Sequence, residues 1–413
     1  MTAAMQPSGT RIMERCAALS QLSEEPGALT RVFLSDEHRA ANALVLGWMR
    51  EAGMNARLDP IGNVVGRYEG EAIGAPCLML GSHLDTVRNA GMFDGMLGVI
   101  AAIDCVQALN VRGVRLQHAI EVVGFADEEG VRFGATLLGS RAVAGKFDPA
   151  LLNVRDAQGV SMSEALLKFG LDPERVGDAA RSRADILAYA ELHIEQGPVL
   201  EAEGLPVGVV TVISGGYRFA VEIEGLAGHA GTVPMSLRRD ALAAAAEMIV
   251  AIEARAKGDA ELVATVGRIE ALPGATNVIP GSVRFTLDLR APQDEQRRIA
   301  AAEVRANLLS IAARRNVTVA IRQTHEGVTT TCAPWMQDQI GKAIAAEGLP
   351  VRRLPSGAGH DGMSMIALAD IGMLFVRCTR GISHNPLEAI TEADAELSAR
   401  VFLRFIENFA PSR

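Results

Sequence analysis

Aromatic residues are scarce in this chain: two Trp, three Tyr and twelve Phe make up 4% of its 413 residues. Proteins that bind single-stranded nucleic acid stack the bases on aromatic side chains, so this scarcity argues against such a platform. Basic residues are also outnumbered, with 40 Lys and Arg against 49 Asp and Glu, which gives a formal net charge of -9. That charge argues against nucleic acid or an anionic lipid surface as the main partner.

Long apolar runs and a cysteine framework are missing as well. No uninterrupted apolar stretch is long enough to span a bilayer, and the first twenty or so residues lack the apolar core of a signal peptide. The five cysteines are scattered and odd in number, which fits reduced thiols better than disulfides or a cysteine-based zinc site. We therefore expect a cytoplasmic protein with no membrane or nucleic-acid partner.

The length of the chain favours two domains. In the first half, apolar strands at 77–83 ("CLMLGSH") and 118–126 ("HAIEVVGFA") flank a stretch at 96–109 with helical spacing of its apolar residues. This strand–helix–strand order predicts an α/β domain around a mostly parallel or mixed sheet.

From about Gly215 the pattern changes to strands with one polar face and two amphipathic helices. We predict, in order, a strand at 217–225, a helix at 236–256, strands at 262–272 and 282–290, a helix at 294–315 and a strand at 317–325. The order β-α-β-β-α-β is that of a split βαβ plait, which we place at 213–328. Because another buried strand follows near 373, we expect this plait to be inserted into the α/β domain, at 1–212 and 329–413.

Histidines and carboxylates recur where apolar runs end. His83 and Asp85 close the first strand, Asp94 follows in a glycine-rich loop, and the second strand leads into Asp127-Glu128-Glu129. His193 and His384 follow the same pattern later in the chain. Each feature has a simpler interpretation, since a single His after a strand is usually structural and Asp-Gly is a common turn. Open α/β sheets, however, bind ligands at the carboxyl ends of their strands, so the recurrence favours a site.

Imidazoles and carboxylates without thiolates suit Zn²⁺, Mn²⁺, Co²⁺ or Ni²⁺. Three histidines and several carboxylates are enough for two ions that share a bridging aspartate and activate a water molecule. A further carboxylate is then needed to accept the proton of that water. The glutamate pair 128–129 can supply one ligand and one base.

Together these segments resemble the dinuclear metallopeptidase superfamily of aminoacylases, dipeptidases and carboxypeptidases, and within it the hydantoinase/carbamoylase amidase branch. "GSHLDTV", "GMFDG" and "FADEEGVRFG" resemble its metal core, and "ELHIEQGPVLE", "GHAGTVPM", "TNVIPG" and "SGAGHDG" resemble the branch. The resemblance covers nearly the whole chain, up to "GISHNP". It implies an α/β fold with a split catalytic domain, whose central mixed sheet is flanked by helices, and an inserted ferredoxin-like βαββαβ dimerisation or lid domain.

The resemblance also implies a role for individual residues. His83 and His193 would bind one ion, His384 and Glu129 the other, and Asp94 would bridge the two. Glu128 would be the general base, Asp85 would orient His83, and His229 would stabilise the oxyanion. Asn277 and Arg290 would bind the substrate carboxylate, while Gln196 and Gly359 would line the pocket. Relatives that are peptidases often carry a carboxylate in place of His193, which favours the amidase branch.

Several of these residues keep alternative interpretations. The planar fork of Arg290 matches a carboxylate, but a surface ion pair would also explain an arginine at the end of a strand. His229 could be a loop histidine without a role. His360 and Asp361 could shape the pocket loop without touching substrate. His38, His118 and His325 match no motif, and we expect them to be structural.

The implied function is that of a metal-dependent amidohydrolase that cleaves a linear C–N bond of a ureido carboxylate. The favoured substrate is an N-carbamoyl amino acid, α or β, which would yield the amino acid, CO₂ and ammonia. The family dimerises through the plait, and residues such as His229 and Asn277 can then serve the active site of the partner. Allantoate amidohydrolase is the nearest alternative, an aminoacylase or dipeptidase fits "HIEQGP" less well, and a non-catalytic dimeric binding protein is the remaining one.

Overall fold

The structure, a computed structural model, describes residues 6–412 of the chain. Residues 1–5 and 413 lie outside the described residues. Both ends belong to the predicted catalytic domain, and residues 1–5 also begin the segment that we expect to lack a signal peptide. The chain forms two compact units. Unit 1 comprises the described residues up to 211, residues 331–354 and those from 358 on, and unit 2 comprises 212–330 and 355–357.

The strands of the described residues are short in places but regular in the centre of each unit. They are β1 (Asn55–Leu58), β2 (Val64–Tyr68), β3 (Cys77–His83), β4 (Ala119–Phe125), β5 (Ile186–Ile194), β6 (Val207–Ile213), β7 (Gly215–Glu224), β8 (Gly228–His229), β9 (Val263–Thr265), β10 (Ile269–Leu272), β11 (Val278–Ile279), β12 (Ser282–Ala291), β13 (Thr318–Gly327), β14 (Thr330–Thr331), β15 (Arg353–Ser356) and β16 (Ile371–Val376).

The α-helices vary from one turn to more than five. They are α1 (Gly9–Ser20), α2 (Asp36–Glu51), α3 (Met96–Val111), α4 (Leu138–Val143), α5 (Met162–Phe169), α6 (Val199–Ala202), α7 (Ala241–Lys257), α8 (Asp294–Arg314), α9 (Pro334–Ala346), α10 (Gly362–Met365) and α11 (Glu392–Glu407). In the described part of the chain, no helix is both long and apolar enough to cross a membrane.

A mixed sheet forms the centre of unit 1. Its nine strands include the path β1-β2-β4-β3-β5-β16-β6-β14, and β15 also pairs with β6. The four central strands β4, β3, β5 and β16 are parallel, whereas β2 and β6 are antiparallel to their neighbours. Every residue of β3 and β4 is buried, which agrees with the continuous apolar runs of strands covered on both faces.

Helices cover this sheet. Side chains of α1, α2, α3, α9 and α11 form one apolar core with the sheet, and α4 and α5 contribute to a second. Helix α3 lies almost wholly inside the first core, because nearly all of its side chains are apolar. The predicted α/β fold with a central mixed sheet flanked by helices is therefore confirmed.

Unit 2 contains an antiparallel sheet of the order β10-β12-β7-β13, with β9 also paired to β12. Helices α7 and α8 pack on it around a separate apolar core. The prediction of one continuous strand at 262–272 is wrong, since β9 and β10 are separate. Between them, the three residues 266–268 lie opposite only two residues of β12, Thr286 and Leu287. One strand therefore has an extra residue, which interrupts the pairing as a β-bulge does.

Candidate active site

The parallel strands of unit 1 bring their polar ends to one edge of the sheet. His83 is the last residue of β3, Glu128 and Glu129 follow β4, His193 lies near the end of β5, and His384 follows β16. These strands run in the same direction, so their carboxyl ends meet at one side. The structure thus brings together side chains that are about 300 residues apart in the chain at the extremes.

Asp94 is the carboxylate on which three imidazoles converge. Its Oδ1 lies 3.6 Å from Nε2 of His83 and 3.3 Å from Nε2 of His193, and its Oδ2 lies 3.1 Å from Nε2 of His384. Burial opposes ionisation of Asp94, but these imidazoles hold its pKa well below the usual range. One carboxylate therefore offers each of its two oxygens to a different set of histidines.

Two groups of side chains at this point could each hold a cation. The first consists of His83, Asp94 and His193, and the second of Asp94, Glu129 and His384, with ligand atoms within 4.8 Å of one another. In the second group, Nε2 of His384 also lies 3.4 Å from Oε1 of Glu129. Because Asp94 belongs to both groups, the arrangement has the form of two adjacent sites with a shared carboxylate.

The residues fit a metal ion by their chemistry as well as by their spacing. Within residues 6–412, the buried Nε2 of His193 makes no hydrogen bond, although it is 3.3 Å from Asp94. An unpaired ring nitrogen in a buried position is costly unless it meets a ligand such as a cation. Imidazole nitrogens and carboxylate oxygens are also the donors that Zn²⁺ and similar divalent ions take.

The other ring nitrogens are fixed by the backbone. Nδ1 of His83 lies 3.0 Å from the carbonyl oxygen of Asp85 and 3.5 Å from its carboxylate, and Nδ1 of His193 lies 2.9 Å from the carbonyl oxygen of Ile194. In both rings this leaves Nε2 directed at Asp94. A contact of this kind at Nδ1 orients an imidazole that binds a metal through Nε2.

The carboxylate of Asp85 also holds the turn that carries the two glutamates. Its Oδ1 accepts a hydrogen bond from N of Glu128 at 2.9 Å, and its Oδ2 accepts one from N of Glu129 at 3.1 Å. Asp85 is thus in contact with both the His83 end of β3 and the segment after β4.

The cluster shifts the pKa of its own members. Burial raises the pKa of Glu128 to about 7, and burial together with the charge of Glu128 raises the pKa of Glu129 to about 8. The hydrogen bond to Asp94 raises the pKa of His384 to about 9. Protons are retained here because several carboxylates lie close together in a desolvated place, which is the kind of place that attracts cations.

Gly95 allows the loop from β3 to approach His83. Its φ is +71°, and a Cβ built on it would lie 2.5 Å from Cε1 of His83. A side chain at this position would therefore collide with the imidazole and strain the backbone.

Gln196 and Gly359, predicted to line the substrate pocket, both lie at this cluster. Nε2 of Gln196 donates to Oδ2 of Asp94 at 3.0 Å. A Cβ on Gly359 would come within 3.4 Å of Oε1 of Glu128, so a small residue keeps space beside that carboxylate. The ring of His360 meets that of His193 edge-on, with centroids 4.5 Å apart.

The other predicted substrate residues belong to unit 2. His229 is exposed on β8 and accepts a hydrogen bond from N of Gly231, and the carbonyl oxygen of Asn277 accepts one from N of Ala230 at 2.9 Å. These two residues are therefore brought together. Arg290 forms a two-pronged ion pair with Asp288, at 2.8 and 3.0 Å, and its Nη1 donates to the carbonyl oxygen of Gly357.

The pattern of the sequence did not single out Glu191, Ser383 and Glu388. Glu191 lies two residues before His193 on β5 and is fully buried, so strand alternation could have placed it on the same face. Ser383 and Glu388 flank His384 in a loop, and no spacing rule identifies them. Glu388 is 4% exposed and accepts hydrogen bonds from N of Phe93 and N of Asp94.

A mixed α/β unit whose strand ends gather three imidazoles and several carboxylates defines a candidate metal-dependent hydrolase. Comparison with known proteins agrees with this class. The profile of peptidase family M20/M25/M40 matches residues 79–408, and the chain belongs to this family. The family implies divalent metal ions, and the side-chain groups around Asp94 are candidate ligands for them.

Similar proteins cover the chain almost from end to end. It is 43% identical to an N-carbamoyl-L-amino acid amidohydrolase of Geobacillus stearothermophilus, over 97% of this chain and 98% of the relative. It is 39% identical to a probable allantoate deiminase of Oryza sativa subsp. japonica, over 96% of this chain and 87% of the relative. A crystal structure of a hydantoinase/carbamoylase family amidase from Burkholderia multivorans is 34% identical, with a TM-score of 0.92 and 98% of each chain covered.

Proposed function

We propose that this chain is a metal-dependent amidohydrolase that cleaves a linear C–N bond of a ureido compound. The favoured substrate is an N-carbamoyl amino acid, which would be hydrolysed to the amino acid, CO₂ and ammonia. The observation that carries the proposal is the convergence of three imidazoles on Asp94, with Glu128 beside them and Gly359 leaving space at its carboxylate. The relatives named N-carbamoyl-L-amino acid amidohydrolase support this choice of substrate.

In this proposal the cluster holds two divalent ions, from the set Zn²⁺, Mn²⁺, Co²⁺ and Ni²⁺. His83 and His193 would be ligands of one ion, Glu129 and His384 of the other, and Asp94 of both. When bound, such ions acidify water and polarise a carbonyl oxygen. The two side-chain groups that share Asp94 support this assignment.

Glu128 would act as the general base. Its carboxylate would accept a proton from the attacking water while the oxygen of that water adds to the carbamoyl carbon. The same carboxyl group would then give its proton to the leaving nitrogen as the C–N bond breaks, and the remaining carbamate would lose CO₂. Asp85 would hold the turn that carries Glu128 and Glu129, because its two oxygens accept from their adjacent N–H groups.

The finer architecture of unit 2 belongs to the same proposal. The strand order β10-β12-β7-β13 with two helices supports a ferredoxin-like plait, and we place the inserted domain at 213–328 between catalytic segments 1–212 and 329–413. This domain would form a homodimer and would supply His229 to stabilise the oxyanion. Asn277 and Arg290 would bind the substrate carboxylate, with Arg290 held in place by Asp288.

Allantoate is the second candidate substrate. It also carries a carboxylate and ureido groups, so the same cluster could act on it. Several relatives named allantoate deiminase, at 38 to 39% identity over 95 to 96% of this chain, favour this alternative over a dipeptide.

Ammonia release from defined substrates tests the proposal. The protein would be stripped with a chelator, reloaded with Mn²⁺ and given N-carbamoyl-L-amino acids, their D-enantiomers as matched controls, N-carbamoyl-β-alanine and allantoate. We expect metal-dependent release from a carbamoyl amino acid. Ammonia release from allantoate alone would identify the second candidate as the substrate of this site. No release from any of the substrates, with metal bound, would contradict the proposed reaction.

A further inference from the structure

A buried carboxylate outside the cation-holding groups connects two loops of the candidate metal centre. Glu388 lies in the segment between β16 and α11, the segment that also carries His384. Its Oε1 accepts hydrogen bonds from N of Phe93 at 2.8 Å and from N of Asp94 at 3.1 Å. Its Oε2 accepts a hydrogen bond from Oγ of Ser383 at 2.9 Å. One side chain thus joins the loop of Asp94 to the loop of His384.

The contact of Ser383 continues to the carboxylate of Asp94. Oγ of Ser383 lies 3.3 Å from Oδ2 of Asp94, the oxygen that also faces Nε2 of His384 at 3.1 Å. Glu388 therefore contacts the backbone of Asp94 directly, and it is connected to the Asp94 side chain through the hydroxyl group of Ser383. Its own oxygens are taken up by these three donors, so it holds the ligands without being one.

The chain makes room for this contact at Gly91. A Cβ built on Gly91 would lie 2.3 Å from Cβ of Glu388 and 2.4 Å from its Oε1. Such a close approach leaves no space for any side chain at position 91. The backbone of the Asp94 loop can therefore rest against Glu388 only because residue 91 is glycine.

Burial of Glu388 is costly and needs a reason. The residue is 4% exposed, and within residues 6–412 it forms no ion pair with an arginine or lysine. A buried carboxylate without a cationic partner is maintained only when hydrogen bonds compensate for its lost hydration. Here it also stands beside Asp94, a second carboxylate, which adds to that cost.

We infer that Glu388 is a positioning residue, which holds Asp94 and His384 in the mutual geometry that the second cation group requires. The inference rests on the proposed metal centre and adds to it a residue that contacts neither substrate nor metal. Contacts of this kind, which hold the ligands themselves, commonly alter metal affinity ~10–100-fold.

Metal affinity, measured without any substrate, is the test. Chelator-stripped wild-type protein, Glu388→Ala and Glu388→Gln would be titrated with Mn²⁺ by calorimetry, with the melting temperature as a check on folding. We expect Glu388→Ala to weaken the weaker of two binding steps at least ~10-fold. Glu388→Gln should retain most of the wild-type Mn²⁺ affinity, because the amide oxygen can accept from the backbone N–H groups and the amide nitrogen can donate to Ser383.

Two further variants separate positioning from general loosening. Gly91→Ala displaces the Glu388 side chain but leaves residue 388 a glutamate. It should also weaken Mn²⁺ binding, and it keeps the inference testable when Glu388→Ala fails to fold. Asp394→Asn is the matched control, since Asp394 is buried in the first turn of α11, just beyond the same loop, where it pairs with Arg377 and its N–H donates to the capping hydroxyl of Thr391. It should lower the melting temperature but leave Mn²⁺ affinity unchanged.

The outcomes distinguish the inference from the function on which it rests. No Mn²⁺ binding by the wild type would overturn both. Two binding steps in the wild type that persist unchanged in Glu388→Ala and Gly91→Ala would overturn only the role of Glu388. Equal weakening by Asp394→Asn, or failure of Glu388→Gln to retain affinity, would also overturn it.

Discussion

At the residue scale, two adjacent glutamates have different surroundings. Glu129 faces His384 at 3.4 Å, whereas Glu128 has its Oε1 beside the space at Gly359. Their N–H groups are held by the two oxygens of Asp85, which fixes the turn that carries both side chains. In the proposed function one of these identical residues is a ligand and the other the base, because their surroundings differ although their side chains do not.

Replacement of Glu128 by Gln tests this division. The amide has nearly the same shape but cannot accept the proton of water, so kcat should fall about 100- to 10 000-fold. The Mn²⁺ content and the melting temperature should stay those of the wild type. Steady-state kinetics with metal analysis on the same sample measures both, and a near-normal kcat would remove Glu128 from the role of base.

Arg290 shows how a structural and a functional interpretation can hold together. Its ion pair with Asp288 looks like the surface pair that the sequence left open as an alternative, but Nη1 also donates to the carbonyl oxygen of Gly357. Asp288 additionally accepts from Nε of Arg218 at 3.0 Å. A guanidinium held on two sides is already oriented for a third partner, and the loss of such orientation costs affinity.

Arg290→Ala should therefore raise KM for carboxylate substrates about 10- to 100-fold, the value of about one charged hydrogen bond, with a smaller effect on kcat. Arg218→Ala is the matched control, because it removes the other partner of Asp288 and should leave KM within about twofold of the wild type. Initial rates over a range of substrate concentrations separate the two parameters. An unchanged KM in Arg290→Ala would exclude it from the site.

The sequence predicts site residues that directly follow strands, but it does not predict residues whose role depends on contacts between distant parts of the chain. His83, Asp94 and the glutamates follow apolar runs, and such positions can be read from the chain. Glu388 meets Phe93 and Asp94 across 294 to 295 residues of sequence, and neither its type nor its spacing marks that contact. Only folding brings a lone glutamate from one loop against the backbone of another.

At the element scale, the turn between β3 and α3 sets the geometry of the cluster. It carries Asp94 and ends at Gly95, whose positive φ precedes the first turn of α3. The apolar run of β3 predicts where the strand ends, because its last residue, His83, is the first imidazole or charged side chain after that run. The bulge at 266–268 could not be predicted in this way, since apolar alternation alone does not register one extra residue in a strand pair.

Gly95→Ala should abolish wild-type metal affinity and destabilise the protein by about 1–3 kcal/mol, because it combines backbone strain with a collision at the His83 ring. Gly113→Ala is a matched control, as Gly113 has a φ of +67° and no atom within 4 Å of a built Cβ. It should lower the melting temperature by strain alone and keep Mn²⁺ binding. If both variants bind Mn²⁺ equally well, the turn does not position His83.

At the scale of the whole molecule, apolar exposure is uneven. Most of the large apolar side chains that are exposed in the described residues belong to unit 2, including Met235, Leu237 and Val250. Concentrated apolar exposure is a common mark of a surface that another protein covers. This supports the proposed homodimer through unit 2, which composition could not reveal because apolar content says nothing of where side chains lie.

If His229 serves the active site of the partner, two inactive variants should repair each other. In a mixed dimer of Glu128→Gln and His229→Ala, the intact Glu128 of one protomer would meet the intact His229 of the other, and one of the two sites would work. Random exchange of subunits should then restore about a quarter of wild-type activity, since half of the dimers are mixed and each has one working site. Ammonia release after co-refolding of the pair measures this. Activity no higher than that of the separate variants, with co-purification through a tag on one variant showing mixed dimers, would place His229 in its own protomer's site instead.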